Sequence, residues 1–365
     1  MALQYPKSDI RLAFCRQCGF VFNAAFDPFV LEYSSAYEAT QSFSPVFNAF
    51  HQKLAADLIE RFSLRNKTII EIGCGNGDFL TMLCNLGDNR GIGFDPSFQA
   101  SRHNKKNEDR ITFIKDFYPP KQHEYEADFI CCKMTLEHIP DPARFLENVR
   151  RAIGPRHNAT VFFQVPEARR ILQEAAFWDI YYEHCSYFSK ESLGRLFQNC
   201  GFEVTDIWTD YDGQYLMAAG KARDPKDDFR SRRKSAPYAD RGADLNLMKS
   251  ELDQFADEAQ RAIASWNRQI GMMVDNGRKV MIWPSSSKAV SFLTAVNIGT
   301  GIEFAVDINP YRQGSFLAGT GQEIVGPEFL KDYRPDTIIL LNPVYKSEIE
   351  RMLNGLGLGP DIITV

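Results

Sequence analysis

Nowhere in the 365 residues does an apolar run approach the roughly 20 residues that a membrane-spanning helix needs. The opening Met1-Ala2-Leu3-Gln4-Tyr5-Pro6-Lys7 leads into no apolar segment of signal-peptide type, so a cytoplasmic protein is expected. Charge of one sign is lacking too. Lys and Arg number 42 against 47 Asp and Glu, a net charge of −5, so neither nucleic acid nor an anionic membrane is an expected partner. The cysteines at 15, 18, 74, 84, 131, 132, 185 and 200 are scattered, which excludes a disulfide scaffold. Most read as small buried apolar residues, and only Cys15 and Cys18 have ligand-like spacing. Internal repeats and low-complexity tracts are absent as well. What remains is an ordinary globular composition, 44% apolar and 24% charged, at a length that calls for two domains.

Residues 1–43 form an aromatic-rich lead. A helix is expected over Ser44 to Phe62, with Phe47, Phe50, Leu54, Leu58 and Phe62 at helical spacing. From Lys67 strands and helices alternate: strands at Thr68–Ile72, Gly91–Asp95, Ile111–Ile114, Ala127–Cys132 and Thr160–Phe163, helices at Asp78–Leu86 and Ala143–Ile153. This is the pattern of an α/β, doubly wound parallel sheet. Phe202–Trp208 and Gln214–Ala219 then read as a hairpin across Tyr211-Asp212-Gly213. An antiparallel pair ending a parallel sheet marks a class I methyltransferase rather than a dinucleotide-binding domain, so 44–222 is expected to be that domain. Residues 221–243 carry a dense charge run, read as a solvated linker. Leu245, Met248, Leu252, Phe255, Ala259, Ala262 and Trp266 then form the seam of a long amphipathic helix, expected to pack between domains, with a dimer left open. Linker and helix together span 223–276. Residues 277–365 make a smaller Rossmann-like unit, with strands at Lys279–Trp283, Phe304–Asp307, Thr337–Leu341 and Asp361–Thr364.

The chemistry begins at Glu71-Ile72-Gly73-Cys74-Gly75-Asn76-Gly77, between a strand and a helix. Glycines let a ligand approach the backbone closely. The spacing departs from the dinucleotide pattern, and Asp78 stands at the helix N-terminus where a pyrophosphate would sit. A sulfonium and an ammonium suit acidic neighbours better, so S-adenosylmethionine is the expected cofactor. Glu71, Gly73, Gly75 and Gly77 belong to its loop. Asp95, closing the second strand, is expected to accept the ribose hydroxyls, and Asp116 with Phe117 to bracket the adenine.

These residues resemble the S-adenosylmethionine-dependent sugar C-methyltransferases of deoxysugar biosynthesis. That family has an N-terminal zinc segment, a class I core and a C-terminal Rossmann-like domain, and the likeness runs along nearly the whole chain. Cys15-Arg16-Gln17-Cys18-Gly19-Phe20-Val21 looks like the second zinc half-site. Tyr182-Glu183-His184-Cys185-Ser186-Tyr187-Phe188-Ser189 looks like the stretch around the family's proposed catalytic His. Asp307-Ile308-Asn309-Pro310, Gln313-Gly314, Pro335-Asp336 and Asn342 look like the C-terminal domain. Two features depart. The first zinc half-site has no counterpart, and Trp283-Pro284-Ser285-Ser286-Ser287-Lys288 replaces a glycine-bearing turn. A structural zinc takes four ligands, so Cys15 and Cys18 alone make zinc unexpected.

The resemblance implies methylation of a carbon beside a ketone in a keto-sugar nucleotide or a similar small carbonyl metabolite. His184 is then expected as the general base, Tyr182 or Tyr187 as the enolate donor, and Glu183 as a hydroxyl anchor or an orienter of His184. His138, in Leu136-Glu137-His138-Ile139, reads as structural. Tyr33, Tyr37, Gln41, Phe43 and Ser44 form an expected lid, with Tyr37 able to reach substrate or sulfonium. Ser285, Ser286, Ser287 and Lys288 are expected to cap a helix. The competing expectation keeps the cofactor but makes the acceptor a hydroxyl or amine of another small molecule. A monomer and a homodimer are both compatible with the sequence.

Overall fold

The computed structural model describes residues 2–30, 40–100, 109–119, 125–155, 158–223, 241–296 and 301–365. The lead carries a hairpin, β1 (Leu12–Phe14) and β2 (Val21–Asn23), turned at Cys15–Gly19. Helix α1 (Pro45–Phe62) starts where its sequence says it should. The Ser44 hydroxyl accepts from the Phe47 amide, and Pro45 occupies a first-turn position that needs no donor.

The chain then supplies β3 (Thr68–Ile72), α2 (Asp78–Gly87), β4 (Arg90–Phe94), β5 (Ile111–Ile114), β6 (Phe129–Lys133), α3 (Pro142–Ile153), β7 (Thr160–Pro166), α4 (Ala168–Gln173), β8 (Ser186–Tyr187), α5 (Lys190–Asn199), β9 (Phe202–Asp210) and β10 (Tyr215–Ala222). Seven strands line up in the order β5-β4-β3-β6-β7-β10-β9, and β10 alone runs against its neighbours. The period of two buries both faces. Ile70, Ile130, Cys132 and Phe163 pack with Leu146, Val149, Leu193 and Phe197 from α3 and α5. Ile69, Phe129, Cys131 and Phe162 pack on the other side with Leu54, Leu58, Leu80 and Leu83 from α1 and α2. The final hairpin is longer than the sequence suggested, reaching Asp210 and Ala222, with a bulge at Ala219–Gly220.

Strand β8 stays out of this sheet and pairs instead with β2, tying the cysteine hairpin to the segment just after His184. Helix α6 (Arg241–Asp275) buries Met248, Phe255, Ala259 and Trp266 in one core shared with Ala168, Ile171, Phe292 and Ile339. Its Glu251 accepts two bonds from Arg169, at 3.1 and 2.7 Å. The seam is thus covered from within the chain.

A second sheet follows, made of β11 (Val280–Trp283), β12 (Ile302–Val306), β13 (Glu323–Val325), β14 (Thr337–Leu340) and β15 (Asp361–Thr364), with α7 (Ser287–Val296), α8 (Leu330–Tyr333) and α9 (Lys346–Gly355). Its order is β13-β12-β11-β14-β15, all parallel. Strand β13 has no counterpart among the expected strands. Among the described residues no helix is long and apolar enough to cross a membrane. The core is the class I methyltransferase fold, and a smaller Rossmann-like sheet faces it.

Candidate active site

The residues following β3, β4, β5 and β6 and those following β11, β12 and β14 line one cavity of about 750 Å³. The carboxyl edges of two parallel sheets therefore look at each other across it, the place where α/β sheets bind ligands. Polar contacts from both sides fix the spacing. Ser44 donates to Glu348 at 2.7 Å, Gln214 and Asn342 exchange bonds of 2.9 and 3.1 Å, and Lys288 pairs with Asp179 at 2.5 Å.

On the first sheet, Gly73 takes a φ of +69°, and a Cβ there would sit 2.1 Å from Thr135 Oγ1. Only glycine fits against Thr135, and Gly73 lines the cavity. Gly75 lines the cavity nearby, whereas Gly77 does not, and its work is to start α2 at a φ of +85° beneath the Phe113 ring. Asp95 accepts from the Gly75 amide at 2.8 Å and from the Ser97 amide and hydroxyl at 2.7 and 2.6 Å. Asp116 accepts from the Phe117 amide at 2.7 Å, and the Phe117 ring stands 69% exposed at the cavity rim. Glu71 is buried, its Oε2 has no partner, and burial pushes its carboxyl up to about 7, offset in part by Lys133.

Across the cavity, His184 is 3% exposed. Its ring lies 4.1 Å from Tyr181 and edge-on to His138 at 4.8 Å, and its Nδ1 is enclosed without a partner. Burial, with help from His138 and Lys288, holds its basicity well below the usual imidazole range. His138 Nδ1 donates to the Glu183 carbonyl oxygen at 2.9 Å. Beside them Glu137 is buried with neither carboxyl oxygen bonded, and burial pushes it up to about 8. Ligand atoms of Glu137, His138 and His184 lie within 4.8 Å of one another, which makes them the one grouping among the described residues with metal-ligand potential. Among the described residues Cys15 and Cys18 belong to no such grouping. Both thiols are free; a hydrogen bond with Cys18 lowers the pKa of Cys15, and burial raises that of Cys18.

Several expected roles need correcting. Tyr182 is not in the cavity. Its ring stacks on Phe26, and its hydroxyl is engaged with the Asp27 backbone, accepting from the amide at 2.7 Å. Tyr187 is buried, with its hydroxyl 3.5 Å from the Tyr181 carbonyl. Of the three tyrosines flanking His184 in sequence, at 181, 182 and 187, Tyr181 lines the cavity. Glu183 does line it, with Ser287 Oγ donating at 3.4 Å. Of the expected lid, Gln41, Phe43 and Ser44 line the cavity, while Tyr33 and Tyr37 lie outside the described residues. The serines do not cap α7. Ser285 donates to Asp307 at 2.6 Å, Ser287 to Glu183, and Ser286 Oγ has no partner. Sequence reasoning also missed Lys133, His51 and Glu137. A lysine closing the otherwise apolar Phe129-Ile130-Cys131-Cys132 was the available signal.

Residues 47–207 match a methyltransferase domain model and 225–358 a C-methyltransferase C-terminal domain model. Fold, glycine loop and acidic strand ends define a class I S-adenosylmethionine-dependent methyltransferase. With its second domain, the chain pairs that core with a C-methyltransferase C-terminal domain. It is 26% identical to the C-methyltransferase NovU of Streptomyces niveus, over 92% of this chain and 80% of that protein. A ubiquinone biosynthesis O-methyltransferase of Hydrogenovibrio crunogenus is 34% identical over 32% of this chain and 51% of its own length. Among solved structures, N,N-8-amino-8-demethyl-D-riboflavin dimethyltransferase from Streptomyces davawensis aligns with a TM-score of 0.40 at 18% identity, covering 48% of this chain and 56% of that one. The residues present fit the cofactor. The unbonded Oε2 of Glu71, on the cavity wall with the open Gly75, suits a cationic, phosphate-free ligand.

Proposed function

We propose that the protein methylates a carbon beside a ketone in a keto-sugar nucleotide or a similar small carbonyl metabolite, with His184 as general base. S-adenosylmethionine supplies an electrophilic methyl group whose departure leaves a neutral thioether, so the chain must provide alignment and a carbanion-like nucleophile. The observation that carries this reading is the placement of His184. Its imidazole is walled in by Tyr181 and His138, with Nδ1 unbonded, on the cavity that also holds the glycine loop.

In this reading His184 removes the α-proton. Tyr181 takes the donor role expected of Tyr182, because it lines the cavity with its ring 4.1 Å from that of the base. The Lys288 ammonium, set against Asp179, contributes positive field where enolate charge develops. Glu183 anchors a substrate hydroxyl. Asp95 holds the ribose, and Phe117 covers the adenine from the rim. Residues 44–222 act as the methyl-transfer domain, and 277–365 close the acceptor side. NovU, a C-methyltransferase by name, supports the carbon acceptor.

A base of this kind contributes about 10²- to 10⁴-fold. His184→Ala should lower turnover by that order and leave cofactor affinity nearly unchanged. With S-adenosylhomocysteine bound, the wild type should exchange the substrate α-proton with solvent deuterium, and His184→Ala should not. Absence of exchange in the wild type, with full turnover in His184→Ala, would overturn the base and favour a hydroxyl or amine acceptor.

A further inference from the structure

The floor of the cavity holds a charge that the reaction above does not use. Strand β6 pairs in parallel with β3 so that Cys131 lies opposite Glu71, and alternation puts Glu71, Cys131 and Lys133 on one face. That face is covered by α1 and α2. Lys133 is 8% exposed and lines the cavity together with Glu71 and His51. Its ammonium donates to His51 Nε2 at 3.2 Å and stands 3.6 Å from the centre of the Phe79 ring. His51 must therefore be neutral, and burial, then Lys133, holds it down to about 2. Among the described residues Lys133 makes no ion pair, although an ammonium has three donors to place.

A buried cation without a counter-ion is costly, as is a buried carboxyl with an unbonded oxygen. Lys133 and Glu71 are one of each, on adjacent strands. Burial pushes Lys133 down, and the Glu71 carboxylate pulls it back up, so the two feel each other without touching. A ligand that carries a carboxylate and an ammonium on one carbon satisfies both. The other end of the site, at Asp95 and Phe117 beyond β4 and β5, is suited to a nucleoside.

We propose that Lys133, steadied by His51 and Phe79, is the counter-ion for the α-carboxylate of S-adenosylmethionine, while Glu71 receives its ammonium. Lys133 thereby sets the register of the cofactor and separates it from adenosyl compounds that lack the carboxylate. This inference rests on the cofactor alone and is independent of the acceptor chemistry proposed above.

The test is calorimetric binding, without acceptor, of S-adenosylmethionine and of decarboxylated S-adenosylmethionine, which keeps the ammonium and loses only the carboxylate. The wild type should prefer the intact cofactor by about 10- to 100-fold, the scale of a charge-assisted hydrogen bond in a dry site. In Lys133→Met the preference should fall to within about threefold of unity, with affinity for the decarboxylated ligand retained. Lys133→Arg should keep part of the preference. Circular dichroism checks the fold, and Lys133→Gln replaces the Met variant if that one does not fold. An equal loss for both ligands would make Lys133 merely structural and overturn the assignment. So would an unchanged preference in Lys133→Met, or a wild type that does not discriminate.

Discussion

Two turns occupy the same topological place on the two facing sheets, and they behave in opposite ways. After β3 the chain passes through Gly73-Cys74-Gly75, and its acidic neighbour Glu71 keeps an oxygen unbonded. After β11 it passes through Pro284-Ser285-Ser286-Ser287, and two of the three hydroxyls are spent on protein carboxylates, Asp307 and Glu183. Arg312 adds a 2.6 Å bond to the Ser285 carbonyl. The first turn spends its amides on the Phe94 carbonyl and Asp95 but leaves the Glu71 carboxyl oxygen open beside the cavity, and the second uses its hydroxyls to build a wall. A shared fold therefore does not imply a shared ligand site, because the side chains at the strand ends decide.

The largest effect expected from this contrast is at Gly73. Gly73→Ala forces a Cβ to within 2.1 Å of Thr135 Oγ1 at a positive φ, so cofactor binding should vanish by calorimetry. Next comes Asp95→Ala, which should weaken S-adenosylmethionine by about 1.5–3 kcal/mol, the worth of a hydrogen bond to a charged group. Unchanged affinity would remove the ribose assignment.

A smaller effect concerns pH. Glu137 titrates near 4.5 when unfolded and is pushed up to about 8 by burial in the native protein. The folded state therefore holds an extra proton between those values. Its stability is full below about 4.5 and is lost as pH rises through about 8. Glu137→Gln should flatten that decline in thermal melts between pH 5 and about 8.5, and an unchanged slope would show that Glu137 is ionised in the folded protein. The smallest effect is expected at Ser286→Ala, whose hydroxyl has no partner to lose. Cofactor affinity should stay the same, and stability should move by no more than about 0.5 kcal/mol. A large loss of acceptor affinity there would turn the wall back into a ligand turn.

The parallel sheet, the closing hairpin and the glycine loop were legible because each rests on local chemistry: a period of two, the Asp212-Gly213 turn, and glycines bared between strand and helix. The seam of α6 was legible for the same reason. What the sequence hid was decided by distant partners. Strand β8 is two residues long and exists because β2, more than 160 positions earlier, offers an edge. Strand β13 is three residues long and carries no pattern of its own. Between Tyr181 and Tyr182 the backbone is irregular, so no period tells which ring faces the cavity. Phe26 and the Asp27 backbone settle it by capturing Tyr182. The helix-capping reading of the serines failed because Ser286, just before α7, leaves its Oγ unbonded, while Ser285 and Ser287 turn toward Asp307 and Glu183, remote in sequence.

The central claim is that the cavity between the two carboxyl edges carries out methylation at carbon. The most direct measurement uses S-adenosylmethionine carrying carbon-13 in its methyl group, with the purified protein and a panel of keto-sugar nucleotides. Carbon-13 NMR and mass spectrometry of the product then show where the label has gone. The account predicts a methyl resonance in the carbon-bound region, on the carbon adjacent to the ketone. A label found as an O-methyl or N-methyl group would contradict it.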